Sequence, residues 1–333
     1  MLDEIAILCN TKMLGGGERS AQKILEMIQF RGLPAHGWSL TPDHPSRCEG
    51  MELWRDWRKC KARHQIWIMN DKIYRLQKEE FAEFITVLQY AEDIRIIINF
   101  VNGGLSKKEW LSDLPVKKVV FLNSKKRDSW LKDALNGNEF IPTAVLPPPV
   151  DIDLFLEAGN GRETNGGKAV IGSHGGKHSG EDVSLYDTLK NSIDTDSQFR
   201  FMPGNITLKK AFFADDRFVF HQKSYEMEDI INFLSQLSIY IYHLDKNKHT
   251  QGPRTVIEAM AMGLPVVTDD CSECGMRDRI VDGINGFLCS GIDDIIDKVK
   301  LLAKNPDMRK QMGENARKTA QDMRPEKWLD QIL

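Results

Sequence analysis

The segment TQGPRTVIEAMAMGLPVVTDD, residues 250–270, contains a predicted helix start with one acidic side chain in the helix, Glu258. Pro253 after small polar residues is typical of the first helical position, where free backbone amides bind anions. Glu258, about one and a half turns later, could accept hydrogen bonds from a diol such as a ribose. The alternative is an exposed helical glutamate. The helix is rich in small residues, stops at Gly263 and leads into a buried strand, which favours the ligand side of a sheet.

Two glycine-rich loops could also approach an anionic ligand. In TKMLGGGERS, Gly16 and Gly17 precede a predicted helix, and consecutive glycines let the backbone come close to a ligand. In SHGGKHSGED, His174 and Lys177 stand among glycines, an arrangement that could set a cation beside a phosphate. The alternatives are a flexible turn and a solvated loop, respectively. The glycine spacing is not that of the dinucleotide-binding fingerprint, so neither loop defines a site alone.

A Cys-x-x-Cys motif, Cys271 to Cys274, follows the paired acids Asp269 and Asp270. No second such pair or matched histidine pair lies at metal-ligand spacing, and the motif does not open a helix as in thioredoxin-like proteins. We therefore expect neither metal nor redox chemistry from the cysteines, and we expect the two acids to be solvated. The start MLDEIAILCNTK lacks the positive charge of an export signal, which predicts a cytoplasmic protein with reduced thiols.

Length and charge narrow the class of protein. The 333 residues suit two domains, and 45 basic against 48 acidic residues leave a formal net charge of −3, which indicates no general polyanion-binding surface. No apolar run is long enough to predict a transmembrane segment.

Strand-like and helix-like segments alternate along the chain, the pattern typical of parallel sheets covered by helices. The region 136–167 interrupts this alternation with three consecutive prolines and a polar, glycine-rich stretch, so we place the domain boundary there. The sequence predicts an α/β protein with two doubly wound domains in tandem. The predicted strands are 4–9, 64–70, 94–100 and 117–123, then 168–176, 199–204, 217–222, 239–244, 265–270 and 286–290.

The segment PRTVIEAMAMGLPVVTDDCSECGMRDRIVDGINGFLC resembles the donor-binding half of retaining GT-B glycosyltransferases of the GT4 type. Their signature is E-G-x-x-x-x-x-x-E-A-M-A-x-G-x-P-V-V, followed by a D-G-x-N-G-x-L strand. The segment MLGGGERSAQKILEMIQFRGL is similar to the helix start of the family's first domain, and FIPTAVLPPPVDIDLF to its interdomain passage. The resemblance is strong over 217–290 and patchy over 35–115.

The resemblance implies a GT-B fold, in which two tandem Rossmann-like doubly wound domains face a central cleft. Residues 1–150 would form the acceptor-side domain and residues 151–315 the nucleotide-sugar donor domain. Residues 316–333 would form a C-terminal helix that packs back on the first domain.

The resemblance also implies a function, that of a retaining hexosyltransferase-like enzyme. It would move a sugar from a UDP- or GDP-sugar to an acceptor hydroxyl with no metal or other cofactor, because amides and cations neutralise the leaving diphosphate. Glu258 matches the family's ribose-binding glutamate, and the Gly16–Gly17 loop matches the one that approaches the donor diphosphate. The catalytic residue is not identified, and the other donor-binding candidates are Lys177, Gly252, Arg254 and Thr255.

Three positions depart from the family pattern. Thr250 stands where the first glutamate of the E-x7-E motif is expected, Ser173 where a phosphate-binding arginine is usual, and Asn102 near a frequent histidine. A threonine offers no carboxylate to the transferred sugar, so Thr250 and Gln251 are the sugar-contact candidates. Arg254 could replace the charge of the missing arginine. The alternative to a transferase is a non-catalytic GT-B protein that binds a nucleotide or a glycan.

The acceptor stays open between saccharides, lipid-linked glycans, proteins and hydroxymethylated bases of nucleic acid, with a glycan as our first choice. The basic segments RDWRKCKAR (55–63) and SKKRDSW (124–130) could face an anionic acceptor or the surface of a membrane. Trp54, Trp57 and Trp130 lie in or beside these segments and could stack on nucleic-acid bases. The ordinary alternative for such charge runs is a solvated helix face.

Overall fold

A computed structural model describes most of the chain as two compact units. The first holds the residues up to Val150 together with Pro325–Leu333, and the second holds the described residues from Asp151 to Arg324. The described residues are 3–11, 16–41, 53–69, 89–98, 114–134, 141–160, 168–175, 182–243, 253–271 and 274–333.

The first unit is built on a parallel sheet. Its strands, among the described residues, are β1 (Ile5–Cys9), β2 (Ala35–Ser39), β3 (Arg55–Asp56), β4 (His64–Met69), β5 (Asp93–Ile98), β6 (Val116–Phe121) and β7 (Thr143–Val145). They lie in the order β3-β2-β1-β4-β5-β6-β7, so the winding direction reverses between β1 and β4. Helix α1 (Gly16–Phe30) leads from β1 to β2, and α2 (Ser124–Ala134) follows β6.

The second unit repeats this plan. Its described strands are β8 (Val170–His174), β9 (Gln198–Met202), β10 (Phe218–Phe220), β11 (Ile239–Tyr242), β12 (Val266–Asp269) and β13 (Gly286–Cys289). They lie in the order β10-β9-β8-β11-β12-β13, with the reversal between β8 and β11. Its helices are α3 (Ile152–Ala158), α4 (Val183–Ser192), α5 (Ile206–Ala211), α6 (Met227–Ser235), α7 (Arg254–Ala261), α8 (Ile292–Lys304) and α9 (Pro306–Asp322).

A last helix, α10 (Pro325–Ile332), belongs to the first unit. Its apolar side chains Trp328, Leu329 and Ile332 are buried in the same cluster as Ile24 and Ile28 of α1. The predicted boundary at 315/316 falls inside α9, which stays in the second unit, and the passage to the first unit lies between Arg324 and Pro325.

Both faces of the first sheet are covered, which explains its unbroken apolar strands. In β1, Ala6 and Leu8 belong to one buried cluster, and Ile7 and Cys9 belong to another on the opposite face. Alternate side chains of a strand point to opposite faces, so a strand buried on both sides needs apolar residues throughout.

The predicted α/β class with two doubly wound sheets is confirmed. The sequence reading missed β2, β3 and β7. Strand β2 reads AHGWS, with a histidine and a glycine in place of an apolar run, and β3 and β7 are only two and three residues long. Within the described ranges, no helix combines the length and the apolar character needed to span a bilayer.

Helix α7 is held against α9 by a close approach of two backbones. Gly263 ends α7 with φ +75°, a conformation that favours glycine. A Cβ atom added to Gly313 of α9 would collide with the carbonyl oxygen of Gly263. The contact requires glycine at position 313, and it fixes the position of α7 within the second unit.

We expect Gly313→Ala to destabilise the second unit by about 1 to 3 kcal/mol, because the added methyl group meets rigid backbone rather than a side chain that can move. Urea unfolding followed by circular dichroism measures this loss. Gly291→Ala is the matched control, since a Cβ there meets no atom within 4 Å. It should cost under about 1 kcal/mol. Equal unfolding midpoints for the two variants would contradict the packing argument.

Candidate functional site

The carboxyl ends of β8 and β11 mark the place where a ligand is expected in the second unit. These neighbouring strands flank the point at which the strand order reverses, and open parallel sheets bind ligands beyond the strand ends at such a point. His174 is the last residue of β8, and α7 carries Glu258 in its second turn.

A hydrogen bond joins His174 to Glu258 across 84 positions of the sequence. The Nε2 atom of His174 lies 2.8 Å from Oε2 of Glu258, and each side chain is only 3% exposed. A carboxylate in so dry a place needs hydrogen-bond donors or opposite charge to offset its lost hydration. The sequence predicts a strand over 168–176, and His174 ends that strand. It also suggests a cation beside a phosphate here, whereas the ring of His174 bonds to a carboxylate.

Tyr240 of β11 holds His174 from the neighbouring strand. Its hydroxyl donates a hydrogen bond to the backbone oxygen of His174 at 3.0 Å. The two rings meet edge to face, with centroids 5.5 Å apart. Burial raises the pKa of Tyr240, so its phenol stays protonated and remains a donor at neutral pH.

Gly175 brings the backbone after β8 against the start of α7. Its φ is +113°, and a Cβ atom there would lie 2.7 Å from Cγ2 of Thr255. The hydroxyl of Thr255 is buried there. Two predicted site residues of α7, Thr255 and Glu258, are thus brought together beside the end of β8.

Arg254 lies over the same carboxylate. Its Nε atom is 4.0 Å from Oε1 of Glu258, and its side chain is 9% exposed. Glu258 therefore has a cation on one side and His174 on the other. Ser173, which stands where a phosphate-binding arginine is usual in the family, is 3% exposed, and it places a neutral hydroxyl inside the unit.

A second polar cluster follows β11 and β12, and the sequence reading missed it. Nδ1 of His243 lies 2.9 Å from Oδ2 of Asp269, and Nε2 lies 4.0 Å from Oδ2 of Asp182. Strand register gives the signal that could have found the pair, because Tyr242 pairs with Thr268 and the next residues are His243 and Asp269. The expectation that Asp269 is solvated is therefore wrong.

Asp182 caps helix α4 and contributes to this cluster. Its carboxylate accepts hydrogen bonds from the amides of Ser184 at 2.8 Å and Leu185 at 3.2 Å. Burial acts to raise the pKa of Asp182, but the hydrogen bonds from Ser184 and Leu185 and the nearby His243 together hold it below its ordinary value. The cap therefore stays ionised at neutral pH and favours the helix start.

In the first unit, Gly16 and Gly17 form the beginning of α1, directly at the glycine-rich loop after β1. This places them at a helix start, as the sequence predicts. The other predicted site residues, Lys177, Thr250, Gln251 and Gly252, lie outside the described residues, as does Asn102.

Cys271 and Cys274 are joined by a disulfide, and Cys274 is fully buried. This differs from the expectation of reduced thiols. Their Cα atoms are 5.4 Å apart. The amide of Cys274 donates to the carbonyl of Cys271 at 3.1 Å.

The tryptophans of the basic segments serve the core of the first unit. Trp57 is 5% and Trp130 is 8% exposed, and both belong to the buried cluster that also contains Ala6 and Leu8. Neither ring is therefore free to stack on nucleic-acid bases, because both are buried in this cluster and the guanidinium of Arg58 also lies over the ring of Trp57.

Comparison with known proteins gives the class. The two units have the GT-B fold of glycosyltransferases. The Anabaena protein HepE, solved with UDP and glucose, superposes with a TM-score of 0.68 at 13% identity and covers 99% of this chain and 98% of its own. A glycosyltransferase from Rickettsia africae gives a TM-score of 0.69 at 15% identity, with coverages of 99% and 96%.

Residues 206–319 match the family described as glycosyl transferases group 1. An uncharacterized glycosyltransferase of Haemophilus influenzae is 31% identical over 118 residues. That match spans 33% of this chain and 33% of the relative's length. The stretch 206–319 contains β11, β12 and all of α7, so Glu258 lies inside the matched region and His174 lies outside it.

We expect Gly175→Ala to lower the free energy of unfolding by about 1 to 3 kcal/mol, because alanine adds both backbone strain at φ +113° and a clash with Thr255. Thermal unfolding checks the loss. The double variant Gly175→Ala/Thr255→Ser removes the clashing methyl group and should recover the steric part only. A stability equal to that of the wild type would contradict the description of this turn.

Proposed function

We propose that the protein is a retaining glycosyltransferase that moves a sugar from a UDP- or GDP-sugar to an acceptor hydroxyl. The observation that carries the proposal is the buried carboxylate of Glu258, held between His174 and Arg254 at the reversal point of the second sheet. A fixed carboxylate at this edge suits the two neighbouring hydroxyls of a ribose, since it can accept a hydrogen bond from each.

Positive charge at the start of α7 supports the proposal that the diphosphate of the donor binds there. Arg254 is the first residue of α7, so its guanidinium and the free amides of the helix start lie at one end of the helix. As the bond between the sugar carbon and the phosphate oxygen breaks, these groups would stabilise the negative charge that develops on the diphosphate. We propose that this neutralisation requires no metal.

Transfer with retention places the acceptor on the face from which the diphosphate leaves. The acceptor oxygen bonds to the sugar carbon, the leaving oxygen takes the bonding electron pair, and the acceptor proton passes to the departing diphosphate. HepE, which shares the fold, was solved with UDP-glucose, which supports a UDP-sugar as the first donor to try. A glycan hydroxyl remains our first choice of acceptor.

The second candidate is a GT-B protein that binds a nucleotide or a glycan without turnover. The burial of the neutral Ser173 favours it, because a site without the usual arginine has less positive charge to stabilise a leaving diphosphate.

The donor is tested by incubating the full chain with UDP-, GDP-, ADP- and dTDP-sugars and following both thermal shift and nucleotide release, with and without a chelator. We expect one UDP- or GDP-sugar to stabilise the protein and to release its nucleotide both with and without the chelator. Glu258→Gln should weaken donor binding about tenfold or more, because the hydrogen bonds to a charged acceptor are lost.

Glu314→Gln is the matched control, since this exposed glutamate lies on α9 of the same unit and should leave binding unchanged. Stabilisation without release, even with glycan acceptors added, would favour the binding protein. No response to any donor would refute the transferase and the nucleotide-binding protein, and would leave only a glycan-binding protein.

A separate prediction concerns Arg254. We expect Arg254→Ala to weaken binding of the nucleotide diphosphate by about tenfold or more, because a buried guanidinium that neutralises a phosphate is lost. Arg254→Lys keeps the charge but not the planar fork, so its affinity should lie between those of the wild type and Arg254→Ala. Calorimetric titration with UDP and GDP gives the three affinities. An unchanged affinity for the alanine variant would show that Arg254 does not bind the diphosphate.

A further inference from the structure

We propose that His174 is a positioning residue for donor binding, which fixes the Glu258 carboxylate in the orientation that the ribose of the nucleotide requires. This inference rests on the proposed function, because it assigns a role within the same site. It goes further in naming a residue outside the family signature as the one that determines the presentation of the carboxylate.

The bond between the two side chains has a defined direction. An ionised carboxylate can only accept hydrogen bonds, so with Glu258 ionised it is Nε2 of His174 that carries the proton between its ring and Oε2 of Glu258. The distance of 2.8 Å is that of a charge-assisted hydrogen bond. Both side chains are 3% exposed, so water does not compete for this bond.

His174 is itself held firmly, which a positioning residue needs. It pairs with Met202 in the register of β8 and β9, and its carbonyl accepts the hydroxyl of Tyr240 at 3.0 Å. Its ring packs edge to face on Tyr240 and lies 6.2 Å, centroid to centroid, from Phe233. Strand pairing fixes the backbone and aromatic packing fixes the ring, so the direction of Nε2–H is set before any ligand arrives.

The other ring nitrogen argues against a purely structural role. Nδ1 of His174 is buried and has no hydrogen-bond partner among the residues that the structure describes. A structural histidine in a core normally satisfies both nitrogens, because a buried polar atom without a partner is costly. Retaining a histidine at this cost is accounted for if the bond to Glu258 serves ligand binding.

The residue type departs from the family pattern. The family resemblance places leucine where His174 stands, in the G-R-L of the first donor-domain strand, and the chain has GSH there. Leucine could fill the space, but it could not donate a hydrogen bond to the carboxylate. Glu258 in this protein is therefore oriented by a contact that the family pattern does not supply.

The test compares ribonucleotides with their deoxy forms. UDP and GDP, each with its 2′-deoxy and 3′-deoxy analogue, are titrated calorimetrically into the full chain of the wild type, Glu258→Gln, His174→Leu and His174→Gln. We expect the wild type to bind the ribonucleotide about tenfold or more tightly than the deoxy forms.

We expect both Glu258→Gln and His174→Leu to lose this preference. In His174→Leu the reason is that the Glu258 carboxylate is no longer held in place. His174→Gln should keep most of the preference, since the amide nitrogen of glutamine can replace Nε2 as the donor. His64→Leu, at the start of β4 in the first unit, is the control and should behave as the wild type. A variant that only loses stability should bind the ribonucleotide and its two deoxy analogues more weakly by the same factor. The ratio of their affinities would then be unchanged.

The outcomes separate the two proposals. Ribose preference that is lost in Glu258→Gln but kept in His174→Leu would overturn the role of His174 and leave the proposed function standing. Absence of any nucleotide binding by the wild type would overturn the proposed function and this inference with it.

Nuclear magnetic resonance of the wild type keeps the inference testable if His174→Leu fails to fold. We expect the Nε2–H proton of His174 to resonate far downfield, to move on addition of the ribonucleotide, and to stay in place with the 2′,3′-dideoxy form. A resonance that responds equally to both forms would overturn the inference.

Discussion

The second unit depends on one electrostatic constraint, the burial of the Glu258 carboxylate. A charge that is 3% exposed is stable only where donors and cations replace its water. His174 supplies a donor from the end of β8, and Arg254 supplies a cation from the same helix. These contacts require helix α7 to keep one position relative to the carboxyl end of β8. The approach of Gly263 to Gly313 and the turn at Gly175 hold the helix in that position.

Parallel strands concentrate the polar residues of this unit at one edge. His174, His243 and Asp269 each lie at or directly after the carboxyl end of a strand, and the strands concerned are neighbours in the sheet. The register of β11 with β12 places His243 next to Asp269 without any signal in the local sequence. The interior of the same unit is apolar and aromatic, so the edge is where ionisable groups can be kept.

Sequence patterns predicted the fold class because they are local. Apolar runs such as IRIIINF and the breaks at glycine and proline can be recognised without knowledge of the tertiary structure. The place of Glu258 on the ligand side also followed from its helix and the strand after it. The bond to His174 could not be predicted, because the two residues are 84 positions apart and meet only through the sheet. The burial of Trp57 and Trp130 could not be predicted for a related reason, since a segment rich in charged residues can still bury one large ring when the sheet lies beside it.

The placement of α10 bears on the order in which the chain can fold. Trp328, Leu329 and Ile332 complete the apolar cluster beside α1, and Arg31 joins α1 to this helix through Asp330 at 2.7 Å. The two segments of sequence that form the first unit are therefore separated along the chain by the whole of the second unit. During synthesis the amino-terminal half leaves the ribosome with part of its core missing, and it must wait about 175 residues for the helix that closes it. At about 5 to 20 residues per second, this wait is on the order of 10 to 35 seconds. The protein thus completes the unit that it begins first only after the other unit has been made.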